Sequence, residues 1–284
     1  MAKSSSDRLV EALPWLDSLA SALQKAYTPV LGPSGNPRVK DALYGTWLGH
    51  PLHPALVSMP IGFWTCTAVF DLLGQEKGAD LTLRLGLLTS VGAAATGAAQ
   101  WQDTQELDTP RKLGALHGSL NLTAAALYGM SWWLRSRGSR KAGIVVALGG
   151  FGMVNFSGWL GGALAFDLGI GVNRTAFAEP LADWIEVLDD DKVAEGGTAR
   201  VEAQGVPILL SRQDGTLCAI AATCTHLGGP LDEGAFEGHT VKCPWHGSTF
   251  DMRDGAVVHG PATVPQPCFS VRVKKGRIAV RSGE

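Results

Sequence analysis

The chain has 284 residues, 45% hydrophobic and 18% charged, with a formal net charge of −2. That balance leaves no basic surplus for a nucleic-acid backbone, and no nucleic-acid partner is expected. It also conceals two different parts: residues 1–178 carry 14 Lys and Arg against 11 Asp and Glu, whereas residues 179–284 carry 10 against 15.

Leu9, Leu13, Leu16, Ala20 and Leu23 recur at three- and four-residue intervals between charges, the pattern of an amphipathic helix. It predicts a segment that lies on a membrane or packs on a helical bundle, and residues 1–44 form this segment and a linker at 32–37. Neither a cleavable signal sequence nor a low-complexity tract is evident. Four stretches then lack Asp, Glu, Lys and Arg, at positions 54–70, 85–102, 113–134 and 142–166. A spanning helix takes roughly 17–25 mostly apolar residues, so residues 45–168 are expected to form a four-helix transmembrane domain. Gly, Ala, Ser and Thr in "TSVGAAATGAAQW" and "FSGWLGGALAF" permit close helix approach, and Trp101, Trp132 and Trp133 fall where interfacial indoles belong.

The first span opens on "GHPLHPALVSMPIGFW", placing His50 and His53 at its mouth, with Pro51 and Pro54 in the first turn, where backbone N–H groups lack helical partners anyway. Pro60 lies deeper and is expected to kink the helix and free the Leu56 carbonyl. His117 lies five residues inside Lys112 on the third span, sharing a helical face with Gly114, Gly118 and Asn121. With four spans, His50, His53, His117 and everything after the fourth span belong to one face of the membrane.

A linker at 169–182 leads to residues 183–284, where strand-like runs meet turn signals at Asp214-Gly215, Asp254-Gly255 and Lys275-Gly276, the mark of a small antiparallel β domain. Within it, "CTHLGGPLDEGAFEGHTVKCPWHGSTFD" holds Cys224-x-His226 and Cys243-x-x-His246. Two thiolates and two imidazoles suit tetrahedral zinc, but zinc fingers usually group Cys with Cys and His with His. One of each per loop lets the thiolates take one iron and the imidazoles another, as a Rieske [2Fe-2S] centre requires. His239 and His259 fall outside both loops and read as surface or strand residues.

The segments 224–230 and 243–248 resemble the two binding boxes of the Rieske iron–sulfur family, and "GPATVPQP" (260–267) resembles its proline-containing lid. The resemblance implies Cys224, His226, Cys243 and His246 as metal ligands, with Leu227, Gly229, Ser248, Phe250 and Pro261 around the cluster. Where high-potential members carry a disulfide between the loops, this chain has Gly229 and Trp245. Where they carry a tyrosine that bonds a cluster thiolate, it has Phe250, while Ser248 keeps the other hydroxyl. Fewer hydrogen bonds to sulfur lower the potential, so the lower half of the Rieske range is expected.

Residues 45–170 resemble the bacterial membrane family named domain of unknown function 2231, through "HPLHPALVSMPIGFW", "GAAQWQD" and His117. The expected fold class is therefore a membrane all-α four-helix bundle followed by an all-β Rieske domain. The expected function is one-electron transfer at a lipid membrane with a redox partner protein. The stretch after His246, positions 247–284, is too short for the catalytic domain of a ring-hydroxylating oxygenase, and none is expected there. Three readings of His50, His53 and His117 stay open: ligands of a haem b, a quinone or other metal site, or structural hydrogen bonds to carbonyls freed by Pro60 or to Asp103 and Asp167. The bundle is accordingly one end of an internal redox chain, the anchor of a tethered ferredoxin serving a soluble oxidoreductase or oxygenase, or part of a redox sensor. The expected location is the cell membrane, multi-pass, and cysteine usage points to a cytoplasmic Rieske domain.

Overall fold

The computed structural model describes residues 4–32 and 35–283; positions 33–34 of the expected linker fall outside them. The chain divides into two compact units, Met1–Gly35 with Leu52–Ile170 and Asn36–Pro51 with Gly171–Glu284.

In the first unit, α1 (Ser5–Glu11) and α2 (Trp15–Leu31) replace the single amphipathic helix, because Pro14 stands between them. Leu16 and Ala20 are fully buried, and Val10 and Leu16 share a core with Leu113, Leu116 and Leu160. The apolar stripe thus packs on the bundle. Four long helices follow: α4 (Leu52–Leu72), α5 (Glu76–Gln102), α6 (Asp108–Ser136) and α7 (Arg140–Gly162). Leu52–Leu72, Glu76–Gln102 and Arg140–Asp167 are long and apolar enough to cross a membrane. The third expected span lies in α6, which is as long but less apolar, since His117, Ser119, Asn121 and Thr123 occupy its middle.

The helices pair as two hairpins, α4 with α5 and α6 with α7, and several buried positions of the first recur in the second at a constant offset in the chain. Buried Pro60, Trp64 and Thr67 on α4 correspond to buried Ala124, Tyr128 and Ser131 on α6. On the second helix of each pair, Ala79, Leu83, Gly86, Ala93 and Thr96 correspond to Gly143, Ala147, Gly150, Ser157 and Leu160, all buried. Trp64 and Tyr128 stack face to face, ring centres 4.2 Å apart, and cross from one hairpin to the other. Each ring lies over the equivalent glycine: a Cβ on Gly86 would come within 2.2 Å of Trp64, and one on Gly150 within 3.2 Å of Tyr128.

The second unit contains α3 (Pro37–Tyr44), capped by the Asn36 side chain and closed by Gly45 at φ +84°, and three antiparallel sheets. One orders β1 (Ile185–Asp189), β10 (Arg277–Ser282) and β9 (Phe269–Lys274); another runs β2 (Thr198–Ala203), β3 (Val206–Gln213) and β4 (Thr216–Ala221). The third orders β5 (Ala235–Glu237), β6 (Thr240–Lys242), β7 (Thr249–Asp251) and β8 (Val257–His259). Turns fall at Asp214-Gly215 and Lys275-Gly276, each with both residues at positive φ, and Gln204-Gly205 makes a third of the same kind. Because neighbouring strand residues face opposite ways, β3 serves two cores. Ile208 and Leu210 face one core with Leu181, Ile278 and Val280. Leu209 faces the other with Ile220, Phe250, Cys224 and Cys243.

Candidate functional site

The two Cys-His loops have one backbone design. Cys224 donates its N–H to Gly229 O (2.8 Å) and accepts at its carbonyl from Gly228 N–H (3.0 Å); Cys243 does the same with Ser248 (2.8 Å) and Gly247 (3.1 Å). Gly228 at φ +85° and Gly247 at φ +81° occupy the left-handed conformation that closes each turn. Gly229 has a further reason to lack a side chain, since a Cβ there would stand 2.8 Å from Cys243 Sγ.

The donor set is sorted by type. Cys224 and Cys243 are buried, at 1% and 3% exposure, and their side chains hydrogen-bond each other. The Cys224 bond, then backbone N–H groups of Trp245 and His246, hold the Cys243 thiol below its ordinary value against the opposing effect of burial, whereas Cys243 and burial push Cys224 up. The half-buried His226 and His246 rings lie edge to face, centres 5.2 Å apart. Among the described residues no three of His, Cys, Asp and Glu converge as a metal-binding group. Separate thiol and imidazole pairs, with backbone N–H groups aimed at sulfur, fit a two-iron cluster better than a single zinc ion.

Ser248, fully buried, bonds the Cys224 side chain and accepts the Ala262 N–H at 2.9 Å, tying the first loop to the 260–267 segment. Phe250 is fully buried in the core that holds both cysteines. Pro261 is buried and follows a cis peptide bond, while Leu227 is half-buried between His226 and Gly228.

Residues outside the motif also reach the imidazole side, and only the fold reveals them. Tyr44 of α3 packs edge-on to His226, ring centres 6.4 Å apart. Asp41 accepts from His259 Nδ1 at 2.9 Å and from Gly260 N–H at 2.7 Å, joining α3 to the end of β8 and the start of the lid. His259 is thus a fastening residue. Arg174 N–H donates to Thr225 O at 3.0 Å. Burial, then His246, Lys40 and Arg174, push the His226 imidazole down to about 3. No local sequence signal marks Lys40, Asp41, Tyr44 or Arg174, because they approach from far along the chain.

In the membrane unit, the His53 and His117 rings meet edge to face, with centres 6.5 Å apart and planes at 90°. His53 Nδ1 bonds Ala93 O at 2.9 Å and His117 Nδ1 bonds Ser157 O at 2.8 Å. The expected carbonyl partners were on α4, near Pro60; those found lie across each hairpin, on α5 and α7. A carbonyl has two lone pairs, so a helical carbonyl can accept a side-chain donor without Pro60 freeing it. Carbonyls, rather than Asp103 or Asp167, thus take both Nδ1 groups. His50 belongs to the other unit, is exposed, and bonds Pro51 O at 3.1 Å. Trp101 is more than an interfacial indole: it bonds Arg111 O at 2.9 Å and lies against Gly114, fixing the turn between hairpins.

Comparison with known proteins gives the same division. Residues 183–270 match the Rieske [2Fe-2S] domain, and residues 49–174 match the predicted membrane protein DUF2231. Ferredoxin CarAc of Metapseudomonas resinovorans is 34% identical over 98 residues, covering 34% of this chain and 92% of that protein. Human apoptosis-inducing factor 3 is 32% identical over 94 residues, 33% of this chain but only 16% of that protein. The ferredoxin of carbazole 1,9a-dioxygenase from Nocardioides aromaticivorans IC177 is 26% identical, with 36% of this chain and all of that one covered and a TM-score of 0.34. Fold and site define an iron–sulfur protein of the ferredoxin type carried on a predicted membrane domain. Through its C-terminal domain the chain belongs to the Rieske [2Fe-2S] family.

Proposed function

We propose that this protein is a multi-pass membrane Rieske protein that passes single electrons between a redox partner and a second centre in its membrane unit. Cys224 and Cys243 hold one iron and His226 and His246 the other. The observation that carries the reading is the sorting of donors: a buried thiol pair on one side, an imidazole pair 5.2 Å apart on the other. When bound, the [2Fe-2S] cluster supplies one-electron chemistry. The chain's own residues fix its surroundings: the loop N–H groups and Ser248 bond sulfur, Phe250 excludes water, and α3 with Lys40 sets positive charge beside His226. The second centre is a haem or a quinone at the membrane histidines. A cytoplasmic Rieske domain is supported by Cys66, Cys218 and Cys268, which form no disulfide.

A second reading has its own support, since several relatives are named as ferredoxin components of dioxygenase systems. In that reading the bundle is an anchor and a soluble oxygenase takes the electron. The test of the shared core is electron paramagnetic resonance of the reduced, detergent-purified chain. A rhombic Rieske signal that is lost or transformed in His226→Ala and in His246→Cys supports the ligand set; a signal unchanged in either variant refutes it.

A further inference from the structure

The two hairpins of the membrane unit carry the same histidine in the same setting. His53 and His117 are related by the offset that takes Trp64 to Tyr128. So are the carbonyls they bond, Ala93 and Ser157, each 40 residues further along. So are the glycines beneath the rings: a Cβ on Gly97 would stand 2.8 Å from His53 Cε1, and one on Gly161 3.1 Å from His117 Cε1. Most positions of the repeat have diverged in identity, but these keep their role in both halves. The repeat thus brings two equivalent imidazoles together, one from each hairpin, edge to face.

The hydrogen bonds also fix what the rings offer. A carbonyl only accepts, so the proton of each neutral ring sits on Nδ1, and Nε2 keeps its lone pair. Anchoring Nδ1–H on a backbone carbonyl is how metal-ligating histidines are oriented. Asn121 Nδ2 donates to that lone pair on His117 at 3.1 Å, so this amide must turn aside before Nε2 can bind a metal. A quinone carbonyl, itself an acceptor, gains nothing from two acceptor nitrogens.

Geometry identifies the class of ligand. A bare metal ion takes four or more ligands, and no group of three or more His, Cys, Asp and Glu is present among the described residues. A cofactor that brings its own equatorial ligands needs only two from the protein. A metal–imidazole bond of about 2.0 Å on each side of one metal, with the depth of each ring added, separates two axial ring centres by roughly 6 Å. The observed separation is 6.5 Å. Deeper on each helix, Trp64 and Tyr128 occupy the same face and close the centre of the bundle at 4.2 Å. The histidine layer therefore sits above a packed floor, about 16 Å away at roughly 1.5 Å per residue.

We propose that His53 and His117 are the axial ligands of a b-type haem held between the two hairpins, bound through Nε2 on both sides. This deepens the reading of the chain as an electron-transfer protein by naming the second centre, and its redox role rests on that reading. The test uses the full chain purified in mild detergent, or reconstituted with added haemin if isolated without haem, with optical and paramagnetic spectra recorded on the same samples. The expected result is a six-coordinate low-spin spectrum with the strong anisotropy that crossed imidazole planes give. His53→Gln and His117→Gln keep a side-chain amide able to bond Ala93 O or Ser157 O, but cannot replace imidazole on iron. Each should abolish the low-spin species while the Rieske signal persists as a folding control; a purely packing role would leave haem unaffected. No haem and no haemin uptake in protein with an intact Rieske signal overturns the proposal and leaves the ferredoxin reading standing. A low-spin haem that survives both Gln substitutions overturns the ligand assignment. Haem without any Rieske signal supports the ligand pair and sinks the cluster assignment instead.

Discussion

Gly229 shows how a single position can control the cluster loops. Its missing side chain leaves room for Cys243 Sγ, 2.8 Å from where a Cβ would stand, and for Trp245 at 3.1 Å. Gly229→Ala should therefore force the loops apart and reduce iron and sulfide content several-fold, whereas Gly238→Asn, at a turn with open space and φ +54°, should leave both unchanged. Equal loss in the two variants would point to general misfolding. Phe250 tests the electronic side. It is fully buried in the core shared with both cysteines, so Phe250→Tyr brings a hydroxyl donor into that core. Hydrogen bonds to sulfur stabilise the reduced cluster, and the midpoint potential in redox titration should rise. A fall or no change would mean the hydroxyl does not reach sulfur. Both positions were legible because the motif is local: Cys, His and Gly at fixed spacing between Cys224 and Asp251 name their own neighbours. Lys40 and Asp41 were not, since nothing in "PRVKDALY" announces a strand end as distant in the chain as His259.

At the scale of elements, α3 is the clearest departure from the sequence reading. Residues 38–44, beyond the linker expected at 32–37, carry no element of their own in the sequence reading, yet Pro37–Tyr44 fold as a helix that touches His226, His259 and Gly260. The buried Lys40 lies among the charges acting on His226. A positive charge favours the reduced, more negative cluster, so Lys40→Met should lower its midpoint potential by tens of millivolts, where about 59 mV is a tenfold change for one electron. An unchanged potential would show that solvent screens the charge. The hairpin repeat escaped notice for another reason. Trp64 and Tyr128, Thr67 and Ser131, Leu83 and Ala147 keep apolarity or size class while changing identity, and only burial aligns them. The hairpin ends carry a further device: Arg135, closing α6, bonds Asp71 of α4 at 2.8 and 2.5 Å, with side chains 3% and 4% exposed, and Arg140 bonds Asp80 of α5 at 3.1 Å. Leaving a buried charge without any partner costs about 3–5 kcal/mol; here Arg140 also reaches Asp71 at 3.4 Å and would retain part of the pairing. Arg135→Met should therefore lower stability in denaturant titrations by less than that amount, and adding Asp71→Asn should recover part of it. Failure of the second change to recover anything would assign the loss to packing of the arginine stem.

For the whole molecule, the decisive fact is which pieces of chain share a unit. Asn36–Pro51 precedes the first long helix and Gly171–Glu284 follows the last, yet they form one compact body. A chain that leaves a folded body on one side of a membrane and returns to it must cross an even number of times. Hydropathy alone selects three helices. An even count would require α6 as the fourth crossing, and its polar middle is spent on the bundle interior: His117 bonds Ser157, and Asn121 bonds His117. Polar residues that satisfy one another inside a bundle lower a helix's hydropathy without barring it from the membrane. Reporter fusions after Gly74, Glu106, Gly138 and Gly283 test this count. Gly74 and Gly138 should report one side of the membrane, Glu106 and Gly283 the other. Should Glu106 and Gly138 report the same side, α6 does not cross, and α3 could not then remain with the Rieske domain. Whichever side Gly283 reports is the side on which the partner must bind.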